Sequence, residues 1–226
     1  MKDEHIVIGL GEVGKAIKEV IGCTGYDVIT KNVKVISKRG VKFMHICFPY
    51  SKDFSSEVKR YQKLFSPTYT VVHSTVPIGT CDKLKVVHAP VRGRHPKIAE
   101  SLKIFPMYVG GRDSNDVAYE LQNFGIPACP WKSARDTEAF KLWDTTQYGV
   151  MILLNKEIKK FCNIHNLDFC LVYREGNNSY NYGYDRLDMP QVSRPYLDYV
   201  EGRIGGHCVV QNARLLNSAS ARRILK

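Results

Sequence analysis

Short apolar runs, each closed by a turn residue, punctuate the first half of the chain: His5-Ile-Val-Ile before Gly9, Phe43-Met-His-Ile-Cys-Phe48 before Pro49, Thr70-Val-Val-His-Ser74 before Val76-Pro77, and Lys85-Val-Val-His-Ala89 before Pro90. Runs this short and this continuously apolar suit strands buried on both faces. The stretches between them carry helical patterns, so strands and helices alternate. That alternation predicts an α/β domain of the Rossmann type, a doubly wound parallel sheet with helices on both faces. A second strand is predicted over Tyr26-Asp-Val-Ile-Thr30 and a last one around Met107–Gly111, followed by a short helix from about Asn115 to Asn123. These elements give a first domain at residues 1–130.

The remainder, residues 131–226, reads as a smaller, mainly helical domain. Ser133 is placed to cap a helix N-terminus, with Asp136 three residues on, and a long helix is predicted from there to about Asn163. Its middle, Tyr148-Gly-Val-Met-Ile-Leu-Leu154, is apolar nearly all round and needs cover on more than one side. A chain of this size has little material for that, which predicts a homodimer packed through this helix. Near the helix start Glu138, Lys141 and Thr145 share one face at i, i+3 and i+7. The segment from Tyr173 to Arg203 is dense in Tyr, Asn and Arg, and is either a ligand-binding stretch or a polar loop against a dimer partner. Such residues offer flat stacking surface and hydrogen bonds to a sugar or base, with Arg194 or Arg203 holding a phosphate, and packing on a dimer partner fits them equally. Arg92 and Arg94, with Lys97, form another candidate anion clamp, or a solvated face.

The sharpest motif lies at the first strand-to-helix turn. Gly9-Leu-Gly11-Glu12-Val13-Gly14 has the Gly-x-Gly-x-x-Gly spacing directly after an apolar strand and at the head of a helix reaching about Ile21. Chemically, Gly9 makes the tight turn, Gly11 lets a pyrophosphate reach the backbone, and Gly14 lets the helix pack on the strand while its first amides, from Glu12 and Val13 onward, face the phosphates. The end of the second strand usually carries an acid for the ribose 2′-hydroxyl. Here Lys31 and Asn32 stand near that point. A nicotinamide dinucleotide, NAD or NADP, is the expected cofactor, because a lysine at this point tolerates a 2′-phosphate. In a parallel sheet the carboxyl ends of the strands form the ligand crevice, which brings Pro49, Ser74, Thr75 and Pro90 towards the nicotinamide side.

Composition narrows the class. With 226 residues and 44% hydrophobic content, the chain can bury one good core and a smaller appended domain. No run approaches the length needed to span a bilayer and the amino terminus leads into a strand, so a cytoplasmic protein with no membrane association is expected. The seven cysteines form no CxxC pair, which fits neither a disulfide framework nor a metal site and implies free thiols. A net charge of +11 favours an anionic partner. The basic residues are scattered, with no zinc finger and no aromatic RNA-binding motif, which argues against nucleic acid.

One thiol stands apart. In Arg203-Ile-Gly205-Gly206-His207-Cys208-Val209 a cysteine follows two glycines, downstream of a dinucleotide fingerprint. A thiolate beside a nicotinamide can add to an aldehyde carbon, after which hydride leaves and a thioester remains. Arg203 and His207 flank that thiol as candidate substrate contacts. A Gly-Gly turn followed by a buried structural cysteine fits the spacing equally.

Taken in order, the glycine fingerprint, Ser74-Thr75-Val-Pro-Ile-Gly-Thr80, Glu138-Ala-Phe-Lys141-Leu and Gly205-Gly-His-Cys208 resemble the UDP-glucose/GDP-mannose dehydrogenase family, over nearly the whole chain. The resemblance implies an NAD(P)-dependent oxidoreductase in which Thr75 lies near cofactor and substrate, Lys141 stabilises a developing oxyanion or assists proton transfer with Thr145 beside it, and Cys208 is the nucleophile of a two-step oxidation. A second echo, Ala89-Pro-Val-Arg-Gly93 with Tyr108-Val-Gly-Gly111, is similar to the β-hydroxyacid dehydrogenases of the same superfamily, which use a helix lysine and no thiol. The chain departs from the nucleotide-sugar pattern at three supporting positions, Val91 for a glutamate, Thr145 for an asparagine and Asn212 for an aspartate. By the same resemblance a short form is expected, one that lacks the family's carboxyl-terminal nucleotide-binding domain. The expected substrate is a small sugar-like or anionic molecule, and a non-catalytic dinucleotide-binding sensor or partner subunit is the alternative outside enzymology.

Overall fold

A computed structural model describes residues 4–26, 40–202, 204 and 207–225, the side chain of His207 excepted. The chain divides into two compact units, Met1–Lys141 and Leu142–Lys226. Pro130, where the sequence suggests a boundary, lies inside a strand of the first unit.

Among the described residues, seven strands of the first unit form one sheet in the order β2-β1-β3-β4-β5-β6-β7. Here β1 is His5–Ile8, β2 Thr24–Tyr26, β3 Phe43–Ile46, β4 Tyr69–Val72, β5 Val87–His88, β6 Met107–Gly110 and β7 Ala128–Trp131. The strands from β1 to β5 are parallel, as the unbroken apolar runs require. β6 turns antiparallel to β5, and β7 then pairs parallel to β6, so the far end of the sheet reverses direction. The sequence marks β6 but not β7, whose Pro130 suits only an edge strand.

Both faces of the sheet are covered. Val7, Phe43 and Val71 pack with α1 (Glu12–Ile21), α4 (Ile98–Ile104) and α5 (Ser114–Gln122). Ile6, Ile8, Met44, Ile46 and Val72 face the other way, onto α2 (Phe54–Phe65) and α3 (Thr80–Leu84). Successive strand residues therefore alternate between two cores, which makes the doubly wound α/β arrangement a consequence of the sequence pattern.

The long helix α6 runs over Ala134–Ile164, and its first turn is capped as expected, Ser133 Oγ accepting the Asp136 amide at 3.4 Å. In the second unit its later turns pack against α8 (His207–Leu215) and α9 (Ala219–Ile224) through Leu142, Val150, Leu153, Val209, Ala213 and Ile224. Asn155 Nδ2 donates to Leu197 O at 2.8 Å, and the Lys156 ammonium donates to Val200 O and Gly202 O, tying the stretch before α8 along the helix.

One expectation is overturned in part here. The Tyr-rich segment is only partly loop: a π-helical turn, Cys170–Glu175, leads into α7, Gly176–Arg186, a 3₁₀ turn follows at Pro190–Val192, and residues 193–202 run on without regular structure. Its Asn, Gly and Tyr residues are poor helix formers singly, so composition hides the helix. Contacts between rings supply what propensity lacks, with Phe169 stacked on Tyr173, Tyr173 edge-on to Tyr196 and Tyr180 against Tyr184.

Candidate functional site

The first strand-to-helix turn is built by its glycines. Gly9 sits at φ +92°, in the region an L side chain avoids, and its amide donates to Tyr26 O at 2.9 Å, closing the turn onto β2. A Cβ on Gly14 would lie 1.8 Å from Gly9 O, so only glycine lets α1 settle against the strand end. Gly11 differs from both. Nothing lies within 4 Å of where its Cβ would be, and it stands exposed at the helix N-cap with an extended, ordinary backbone. From Gly11 the first amides of α1, including Glu12 and Val13, have no acceptor within the helix. The backbone there is open to a bound anion.

This turn lies where the strand order reverses, since β2 flanks β1 on one side and β3 on the other, both parallel to it. The carboxyl ends of these strands are cross-braced. Ser74 Oγ donates to Phe48 O at 2.6 Å, joining the segment after β4 to the one after β3, beside exposed Pro49. His73 Nδ1 donates to Ala89 O at 2.7 Å, while His88 Nε2 donates to Ser74 O at 3.2 Å, so two buried histidines bind the ends of β4 and β5 reciprocally. Burial holds both rings neutral, His73 down to about 4 and His88 down to about 3. The His88 ring is completed by Thr137 of α6, 2.9 Å from Nδ1.

Buried Glu138 fixes the loop that follows. Its carboxylate accepts the Gly79 amide at 2.5 Å and the Cys81 amide at 2.8 Å, pinning the turn that runs from Thr75 to Thr80. Burial raises its proton affinity, and the two amides draw it back down. Thr75 and Lys141 are both partly exposed, and the Lys141 charge opposes protonation of His88. Arg92 lies over two rings, 5.5 Å from Phe105 and 5.4 Å from Phe140, while Arg94 is exposed.

In the second unit, Thr145 Oγ1 donates to Leu142 O at 3.1 Å and accepts from Asn212 Nδ2 at 3.2 Å. Cys208, one turn before Asn212 on α8, is exposed, so the reading of a buried structural cysteine does not hold. All seven cysteines are free thiols. Burial raises Cys23 to about 11 and pushes Cys47 and Cys81 up further. Arg194 is exposed, its guanidinium 3.4 Å from the centre of the Tyr180 ring, and its backbone is held by Asn181. Lys31, Asn32, Arg203 and the His207 side chain lie outside the described residues. No group of three or more metal-ligating side chains gathers among the described residues, and no described helix is long and apolar enough to cross a membrane.

No protein-family model and no curated protein matches the sequence. Similarity appears at the level of structure. UDP-D-ManNAc dehydrogenase from Pyrococcus horikoshii superposes with a TM-score of 0.72 at 18% identity, over 97% of this chain and 68% of that one. UDP-glucose dehydrogenase from Pyrobaculum islandicum gives 0.72 at 17% identity, over 98% of this chain and 66% of that one. The 3-hydroxyisobutyrate dehydrogenase of Mycobacterium tuberculosis gives 0.69 at 13% identity, over 97% of this chain and 90% of that one. The chain thus spans about two thirds of the UDP-sugar enzymes and most of the hydroxyacid enzyme, and it has the fold that these dehydrogenases share.

Proposed function

We propose that the protein is an NAD(P)-dependent oxidoreductase that oxidises a hydroxyl or aldehyde of a small sugar-like or anionic substrate in the cytoplasm, as a homodimer. The observation that carries this reading is the Gly9–Gly14 turn: closed by Gly9, packed by Gly14 and open at Gly11, at the point where the strand order reverses. Gly9, Gly11, Glu12, Val13 and Gly14 would hold the pyrophosphate, Pro49, Ser74 and Thr75 would border the nicotinamide, and Lys31 and Asn32 would set the preference between NAD and NADP, with NAD the first candidate. When bound, the dinucleotide accepts the hydride released from the substrate carbon.

The chain's own groups take the remaining roles. Lys141 stabilises negative charge on the substrate oxygen or takes its proton, and Thr145, held by Asn212, positions that oxygen. Cys208 adds through sulfur to an aldehyde carbon when the reaction runs on to the acid; the thiohemiacetal would lose its hydride to a second oxidised dinucleotide and its proton to the base, and water then hydrolyses the thioester and restores the thiol. Arg92, Arg94, Arg194, Arg203 and His207 are the candidate contacts for an anionic substrate.

The test is calorimetric titration with NAD(H) and NADP(H), followed by a hydride-transfer assay at the reduced-nicotinamide absorbance across nucleotide sugars, sugar phosphates and hydroxyacids. Absence of dinucleotide binding at millimolar concentration overturns the reading. A second reading, a β-hydroxyacid-type dehydrogenase that relies on Lys141 alone, is favoured by the 90% coverage of 3-hydroxyisobutyrate dehydrogenase. Turnover surviving Cys208→Ser with hydroxyacids selects it.

A further inference from the structure

Three buried histidines of the first unit lie on one diagonal of the sheet, on the face shared with α1, α4 and α5. His5 opens β1, His45 sits within β3, and His73 follows β4. The register pairs Val7 with His45 and His45 with Val71, so each ring is displaced two residues along from the last. Neighbouring strands are about 4.8 Å apart and two residues advance about 6.6 Å, a diagonal that a pair of imidazoles can bridge. His5 Nδ1 lies 3.0 Å from His45 Nε2, His45 Nδ1 lies 2.9 Å from His73 Nε2, and the rings stack in turn. The ladder ends at two acceptors: His73 Nδ1 meets Ala89 O at 2.7 Å, and His5 Nε2 meets Glu120 Oε1 of α5 at 2.9 Å.

Counting hydrogens decides its state. The ladder has four contacts, while three neutral imidazoles carry one N–H each. A carbonyl oxygen can only accept, so His73 carries its hydrogen on Nδ1 and accepts at Nε2. His45 must then donate from Nδ1 and accept at Nε2, and His5 must donate from Nδ1. His5 Nε2 is left as a bare lone pair facing a carboxylate oxygen. Running the direction backwards moves the mismatch to Ala89 and does not remove it.

We propose that the ladder holds a fourth hydrogen in the Glu120–His5 contact, and that this bound proton couples the stability of the first unit to pH. The location follows from charge, because Glu120 is the carboxylate in direct contact with the ladder and its side chain keeps 16% exposure. Moving the proton inward would place a cation on His45 or His73, both buried, where burial and neighbouring rings oppose it. Among the described residues, Glu4 and Glu120 stand around His5, with Phe43 and Phe124 covering the ring; the titratable groups facing His45 are the other two ladder histidines, and His73 faces His88, which in turn feels Lys141. Burial lowers the affinity of the His5 ring for a proton and outweighs the Glu120 carboxylate, which raises it. What retains the proton is the count of donors, since releasing it leaves two lone pairs opposed at about 3 Å wherever the mismatch falls. This inference stands independently of dinucleotide binding.

Glu120→Gln provides the test, because the amide of glutamine donates the missing hydrogen without a proton from solvent. Nitrogen NMR of the histidine-labelled native protein at neutral pH should show His45 and His73 as Nδ1–H tautomers, with the same tautomers in the variant. Above pH 7 an unfolded chain binds a proton on neither group, so the native chain takes one up on folding and the variant does not. The ratio of their folding constants should therefore fall about tenfold per pH unit. Nε2–H tautomers at His45 and His73 in the native protein overturn the proposal even if the variant fails to fold. Parallel pH dependence of the two folding constants also overturns it.

Discussion

Asn212 Nδ2 donates to Thr145 Oγ1 at 3.2 Å, joining two positions at which the chain departs from the nucleotide-sugar dehydrogenase pattern it resembles. The two changes fit one another. The threonine hydroxyl spends its hydrogen on Leu142 O and keeps a lone pair for the asparagine amide. Asn212 is buried, so losing its partner leaves an amide N–H without an acceptor. Thr145→Val should destabilise the protein by about 1–3 kcal/mol. In a double-mutant cycle with Asn212→Leu, denaturant unfolding should return a coupling of about 1 kcal/mol. Additive effects would show that the contact contributes nothing.

Gly11 and Gly14 separate folding from binding. A side chain at Gly11 meets open space, so Gly11→Val should leave thermal unfolding within about 0.5 kcal/mol of the native protein. If a pyrophosphate rests on that backbone, the same change should weaken dinucleotide binding at least about tenfold, since the side chain occupies the approach. Gly14→Ala places a methyl against Gly9 O and should cost about 1–3 kcal/mol of stability with or without ligand. Calorimetry and melting curves on the two variants decide the matter, and unchanged affinity in Gly11→Val would remove the basis of the dinucleotide reading.

That glycine turn was legible because steric rules act on each residue locally: a strand, a positive φ and a close helix packing each leave a mark at a fixed spacing. The histidine ladder was hidden because it depends on register across three strands. Its one sequence signal is a histidine recurring near the ends of apolar runs, at His45, His73 and His88, where an apolar residue is the ordinary choice. β7 was hidden by Pro130, which excludes a central strand and permits an edge. α7 was hidden by its Asn and Gly content, and what ties it down comes from later in the chain, where Asn181 bonds the Arg194 backbone and the Arg194 guanidinium lies over the Tyr180 ring.

Acid should unfold the first unit early. His88 and His73 are held neutral by burial, with affinities near 3 and 4, against about 6.5 in an unfolded chain. Their folded values are depressed, so the unfolded chain binds protons that the folded one refuses. The stability that these two rings contribute is fully present above about pH 6.5 and is lost as pH drops towards 4, with His73 alone accounting for about 3 kcal/mol across that window. Replacing His88 by Gln should lower the slope of log folding constant against pH by about one between pH 6 and 4. An unchanged slope would mean that His88 is protonated in the native state.

The proposal of a homodimer rests on an uncovered stripe. Trp143, Leu154 and Phe161 of α6 are each about half exposed, and their spacings of 11 and 7 residues place them on one face of the helix. Tyr148 is exposed to a similar degree, while Gly149 abuts Val209 and Ile224 of its own chain. A row of large apolar groups of this length is costly in water. The native protein should sediment as a dimer, and Leu154→Glu with Phe161→Glu should sediment as a folded monomer. A native monomer at micromolar concentration would refute the interface.

The thiol gives the most direct test of whether the chemistry goes beyond alcohol oxidation. Cys208 is exposed on the first turn of α8, whereas Cys23, Cys47 and Cys81 are buried to differing degrees and hold their protons above the ordinary thiol range. Exposure alone predicts that iodoacetamide labels Cys208, but Cys129 and Cys170 are exposed as well and serve as internal references. A thiol that works beside a bound cofactor should be distinguished from those two in two ways. It should react faster than either, and a saturating dinucleotide should slow it while leaving them unchanged. Mass spectrometry of labelled peptides over time reads both at once. Equal rates at Cys129, Cys170 and Cys208, with no protection by dinucleotide, would sink the covalent mechanism and leave Lys141 to carry a simple alcohol oxidation.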